Sequence, residues 1–217
     1  MRHSHGLRAA AGVSGGIIIG SAYEGGFFAG YISHNADGIA THGLIVAPKA
    51  SGYPGSEGRV EWKTTLTSTA GTDSAFDGAA NSAAMNNADH PAAQFCESLT
   101  IDGYSDWYLP ARYELDIAYQ NLKPTTTSNN TSWGINDYSV PKRTANRTAS
   151  VPPQTSVAAF RTGGAEAFPA DSHWSSSERL TTDSNEQAWA VVFSNGGHTS
   201  VDKNNQKYVR AFRKFAR

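Results

Sequence analysis

The chain has 217 residues, and its 18 Lys and Arg nearly cancel its 19 Asp and Glu, leaving a formal net charge of −1. A balance this close to zero argues against broad nucleic-acid binding. Charged residues make up 17% of the chain and apolar ones 39%, so a core can be packed, but the surface must be neutral-polar, built from Ser, Thr, Asn and Gly.

Residues 1–26 are rich in glycine and read as an N-terminal arm or attachment segment. The stretch MRHSHGLRAAAGVSGGIIIGSA loosely imitates a secretory signal, with basic residues, an apolar middle and small residues after it. Glycines dilute that middle, so an uncleaved extension is expected and a signal peptide is the alternative. Residues 27–217 are expected to form the folded domain. It begins with two strand-like runs, FFAGYISH and GIATHGLIVAP, and a turn cluster, SGYPGSEG, closes the hairpin. VEWKTTL reads as a further short strand.

Two short helices are expected next: FDGAANSAAMNN, capped by Asp77, and HPAAQFCESL, with Pro91 in its first turn. Cys96 lies in the second. As the one cysteine it excludes an intrachain disulfide and a four-cysteine zinc site, and its apolar setting predicts a buried, inert thiol. In GYSDWYLPARYEL, Pro110 disfavours helix at Leu109 and suits the first turn of a new helix. Ala111, Leu115, Ala118, Tyr119 and Leu122 then repeat at helical spacing, giving a strand-to-helix corner with a core-facing helix behind it. Residues 123–168 show no period. A connection that long is usually functional or an insertion. After HWSSSE, alternation in QAWAVVF, the turn signal SNGG and the runs HTSV and KYVRAF predict a terminal meander of about three antiparallel strands.

The signals for catalysis are weak. GVSGG, Gly12 to Gly16, fits G-x-S-x-G but lacks the preceding strand and following helix that a nucleophile elbow needs. His3 and His5 form an H-x-H pair that reads as an exposed terminus, and the other histidines are scattered. The sequons in NNTS and NRT read as loop composition. No stretch approaches eighteen continuous apolar residues, so no membrane insertion is expected.

Gly103, Asp106, Trp107, Leu109, Pro110, Glu114 and Leu115 of the corner, Trp174, Ser175 and Ser176, and Trp189, Phe193, Val209 and Arg210 together resemble the Lcl C-terminal-domain family. The resemblance runs from about Gly26 to Phe212. It implies an α+β, C-type-lectin-like fold, with two short helices packed on small antiparallel sheets, of the kind found in bacterial collagen-like adhesins and phage tail proteins. It further implies that Trp107, Trp174 and Trp189 are core residues. Formylglycine-generating enzymes share this fold but need paired cysteines. The calcium-binding tripeptides of sugar-binding C-type lectins are absent from the sequence.

The expectation is therefore a non-enzymatic receptor-binding module without cofactor or metal. A phage tail-fibre or tail-tip protein in the virion is the leading reading, and a bacterial surface or secreted adhesin is the alternative. Its partners would be a bacterial surface glycan or protein and, through the arm, other tail proteins or further copies of itself, with a homotrimer favoured. Two contact faces compete. One is the terminal hairpin, with Asn195, His198, Ser200, Asp202, Asn204 and Asn205, whose short polar side chains suit adaptable recognition. The other is the loop from Ser128 to Thr155, with Trp133, Tyr138, Arg143 and Arg147 as anchors.

Overall fold

A computed structural model describes residues 16–181 and 185–217. The GVSGG serine and the His3–His5 pair lie outside the described residues. The fold is α+β: two curled, mostly antiparallel sheets with a few short helices. The first sheet is built on β2 (Gly26–Ile32) and β3 (His42–Val46), the expected hairpin. Two two-residue strands, β1 (Ala22–Tyr23) and β5 (Ser139–Val140), pair with β2 as well. The expected boundary at residue 26 thus falls at the start of β2. Ile17 and Ile19 also pack against the core, so the described end of the arm is joined to the domain.

The expected helices form where their caps place them. Asp77 accepts the Ala80 N–H at the start of α2 (Gly78–Ala84), and Pro91 opens α3 (Pro91–Glu97), which buries Cys96. A four-residue turn, α1 (Lys49–Gly52), precedes them. The corner helix, α4 (Arg112–Leu122), buries the whole predicted apolar face: Ala111, Leu115, Ala118, Tyr119 and Leu122 are fully buried. It buries Asp116 and Ile117 as well, because loop 123–168 covers its other side.

The corner is tied down by backbone bonds from three directions. Tyr108 and Phe212 exchange backbone hydrogen bonds at 2.7 and 3.0 Å, the Ser176 N–H donates to the Pro110 carbonyl, and the Leu109 N–H donates to Ser82 Oγ. The Glu114 carboxylate accepts the Ala111 N–H at 2.8 Å, the return half of a capping box, and also the Tyr108 hydroxyl. Burial pushes its carboxyl up to about 7.

The terminal meander is corrected. Strands β7 (Gln187–Val192) and β8 (His198–Asp202) run antiparallel as expected, and β6 (Ser172–Glu178) adds to them by pairing antiparallel with β7. The expected third strand, KYVRAF, is cut in two. Its first part joins β9 (Gln206–Tyr208), which crosses the sheet to pair with β6 and with β4 (Arg59–Glu61). Its last residue opens β10 (Phe212–Ala216), which pairs with β3 in the first sheet. Between them Arg210 is buried, donating to the Ala47 carbonyl at 2.9 Å and to Glu166. This anchored guanidinium is the point at which the chain changes sheets. Among the described residues no helix is long and apolar enough to cross a membrane.

Candidate functional site

Strands β7 and β8 pair with Trp189 opposite Ser200, Gln187 opposite Asp202 and Val191 opposite His198. Directly paired side chains share a face, so Gln187, Trp189, His198, Ser200 and Asp202 stand on one side of the hairpin. Ala188 and Ala190 point the other way and are fully buried. Burial along the shared face is graded: His198 and Val191 are buried, Trp189 and Ser200 are half-buried, and Gln187 donates to Asp202 at 2.9 Å at the far end.

The buried end of this face is covered by the long loop. Trp133 lies flat on His198, with ring centroids 4.5 Å apart and planes 11° from parallel. It also meets Trp189 edge-on at 6.1 Å. The Asn130 N–H donates to the Asn195 carbonyl, and Arg147 Nη1 donates to the Gly196 carbonyl. Gly196, at φ +72°, turns the strand with its bare face against the Tyr119 ring, so a side chain there would collide. The two competing faces, hairpin and loop, are therefore one surface.

What holds them together is Asp116, fully buried on α4. Its carboxylate pairs with Arg143 and Arg147, accepts Asn136 Nδ2 at 3.1 Å and lies 3.0 Å from His198 Nε2. Burial is the main force holding the His198 imidazole well below its ordinary range, with repulsion from Arg112, Arg147 and Arg143 adding to it. His198 is therefore neutral, Nε2–H donates to Asp116, and Nδ1 is an acceptor without a partner among the described residues. Burial also pulls Arg143 down to about 9 and Arg147 to about 10, in both cases too high to lose the charge at neutral pH.

His198 is thus corrected as a receptor contact. It is a buried support under Trp133, because Asp116 and the loop draw it inward. Trp189 is corrected in the opposite direction: it is only half-buried and does not belong to the core. Arg112 stands over its ring at 4.6 Å and over Tyr113 at 4.8 Å, and Arg179 lies 5.9 Å from Trp189. Tyr138 stacks between Phe76, at 4.1 Å, and Tyr113, at 5.7 Å, and Arg112 bridges this ring stack to Trp189. Arg143 and Arg147, expected as loop anchors, are structural partners of Asp116.

Asn195 is half-buried, and its Oδ1 accepts the Gly197 N–H at 2.9 Å. Asn204 and Asn205 are exposed in the turn after β8, at the end of that strand away from Trp133. A five-residue strand spans about 15 Å, so these two lie at the margin of the patch. Arg112, Tyr113, Arg179 and Asp116 were missed by sequence reasoning. Strand pairing alone would have placed Trp189 beside Ser200, but nothing local marks Arg112 as lying over Trp189. Among the described residues no group of three or more His, Cys, Asp or Glu side chains gathers as a metal site would.

No family model and no curated protein matches this chain.

Proposed function

We propose that this chain is a receptor-binding module with a C-type-lectin-like fold, that it is not an enzyme, and that it serves at the tip of a phage tail to recognise a bacterial surface structure. The recognition face is Trp133, Trp189, Ser200 and Asp202 with Arg112 and Tyr113 beside them. The observation that carries this reading is the pair of half-buried tryptophans, each keeping part of its ring in water. Large rigid rings left partly in water at the meeting of a long loop and a hairpin are the anchors that interfaces use. Two of the buried titratable groups are committed to structure: Glu114 accepts two donors, and His173 lies between the Tyr53 hydroxyl and the Asp171 carbonyl.

The N-terminal segment is the attachment end in this reading, docking on other tail proteins or forming a homotrimer. Ile18 is strongly exposed between Ile17 and Ile19, which pack inward. Adsorption of the purified chain to a panel of bacterial strains tests the function. Trp133→Ala with Trp189→Ala should remove adsorption from any strain that the parent binds, with the melting temperature little changed. Undiminished adsorption by the folded double variant would rule the face out.

A further inference from the structure

Arg112 is the unusual cation of this face. Its guanidinium stands between Tyr113 and Trp189, and its backbone N–H donates to Ser177 Oγ, which fixes the residue at the first turn of α4. Among the described residues no carboxylate lies within ion-pair distance of it, and its buried Nε–H has no protein acceptor. Arg143, half-buried like Arg112, and the more deeply buried Arg147, Arg210 and Arg213 differ: each pairs with a carboxylate. Unmet polar atoms are also concentrated here. Among the described residues, three of the five buried side-chain atoms without a partner are guanidinium Nε–H donors, of Arg112, Arg143 and Arg147. An unmet buried polar group costs about 1–3 kcal/mol, so a cluster of them on one face is expected where something else supplies the partner. Charge points the same way. The hub sets one carboxylate, Asp116, against two arginines, and Arg112 adds a third positive charge on a chain that is close to neutral overall.

We propose that Arg112 is an anion-recognition residue, held flat by Tyr113 and Trp189 so that its fork receives a carboxylate or phosphate carried by the surface polymer that the tryptophans stack on. This deepens the receptor-binding reading and rests on it. A planar guanidinium pre-stacked on two rings loses little freedom on binding and matches a two-oxygen anion with two parallel hydrogen bonds. At the far end Gln187 accepts from Arg179 and donates to Asp202, so a guanidinium and a carboxylate offset each other there beside the hydroxyls of the same ligand.

The probes are inorganic phosphate, sulfate and acetate, titrated into isotope-labelled chain at ionic strength held constant with sodium chloride. The readouts are the Arg112 Nε–H and Trp189 indole N–H resonances. Saturable shifts of both, half-complete in the millimolar range, are expected. Arg112→Gln should weaken the Trp189 response at least tenfold. Arg217→Gln, which removes an arginine stacked on Tyr31 away from this face, should leave it unchanged. Arg112→Lys keeps the charge without the planar fork and should lie several-fold below the parent; it carries the test should the glutamine variant fold poorly. A response to phosphate alone assigns a phosphodiester-bearing polymer, and one to acetate as well assigns carboxylated sugars. No saturable shift with any anion, or an equal shift in Arg112→Gln, overturns the proposal. The adsorption assay separates the two levels: Arg112→Gln adsorbing like the parent while the double tryptophan variant does not would remove the anion and keep the face. If neither change altered adsorption, the face itself would fall.

Discussion

Trp62, Trp107 and Trp174 are fully buried, and each donates its indole N–H to a backbone carbonyl: Ser175 at 2.8 Å, Tyr104 at 2.9 Å and Val60 at 3.0 Å. Trp133 and Trp189 are half-buried, and among the described residues neither indole N–H has a protein acceptor. The two groups lie on elements that touch, since β6 carries Trp174 and its neighbour β7 carries Trp189. The difference separates two uses of one side chain. A core tryptophan must satisfy its polar edge inside the protein or suffer the cost of desolvation. A tryptophan that keeps one edge in water retains that donor for a ligand.

The comparison breaks first in the core. Trp107→Ala should cost about 3–5 kcal/mol, the usual range for emptying a large buried aromatic site. Asp116→Ala should cost a similar amount, because it strands two buried arginines. The two losses should differ in kind. Denaturant unfolding should show the full cost in both. Hydrogen exchange should show loss of protection centred on the corner for Trp107→Ala, and on loop 128–155 for Asp116→Ala. Equal, global loss in both would mean that the loop is not held separately through Asp116.

Most of the first group was legible in the sequence. Pro110, Glu114 and the 3.6-residue repeat from Ala111 to Leu122 are local signals, and they mark the corner and the helix behind it. The hairpin of β2 and β3, the Asp77 cap and Pro91 are local in the same way. The second group was not legible as one surface. Asp116 finds Arg143 and Arg147 about thirty positions away, and Trp133 finds His198 across sixty-five, so no window of sequence contains the contact. His198 looked like a surface residue because hairpin ends usually are. It is buried because a loop with no secondary-structure period folds over it. Trp189 was misread for the complementary reason: strand alternation marks a shared face but does not say which neighbour covers it.

A pH change sharpens the contrast at intermediate size. His173 is fully buried and held down to about 3, first by desolvation. An imidazole with a depressed folded-state pKa stabilises the fold above its unfolded value near 6.5, and that contribution is lost as pH falls toward 3. By pH 5 the loss should be roughly 2 kcal/mol for His173, and His198 shifts in the same direction. Glu114 opposes them. Its raised carboxyl stabilises the fold most at low pH, and that share fades as pH rises through about 7. Urea unfolding at pH 7 and pH 5 should show a net decrease on acidification, and Glu114→Gln should make that decrease steeper. A fold more stable at pH 5 than at pH 7 would mean that the imidazoles are not held neutral.

The second group should give small stability effects and large binding effects. Trp133→Ala or Trp189→Ala should cost about 1 kcal/mol of stability, as for partly exposed positions, and about 2–4 kcal/mol of binding if each is an anchor. A stability loss as large as that of Trp107→Ala would return the ring to the core group and remove its assignment to recognition.

The smallest effects locate the edge of the face. Asn204 and Asn205 are exposed, and in the β8–β9 turn the Asn205 N–H donates to the Asp202 carbonyl. Their replacement by alanine should change stability by no more than about 0.5 kcal/mol. Ser200 stands directly opposite Trp189, and Asp202 opposite Gln187, so a ligand seated on Trp189 meets these two before it reaches the turn. Single changes at Ser200 and Asp202 should therefore lower adsorption measurably, by about 1 kcal/mol per lost hydrogen bond. The Asn204→Ala, Asn205→Ala double variant should adsorb nearly as well as the parent. The opposite order, a large loss at Asn204 and Asn205 with little at Ser200, would move the contact to the far turn. The tryptophan pair would then be a partly exposed brace for the loop, and the division of the five tryptophans would describe packing alone.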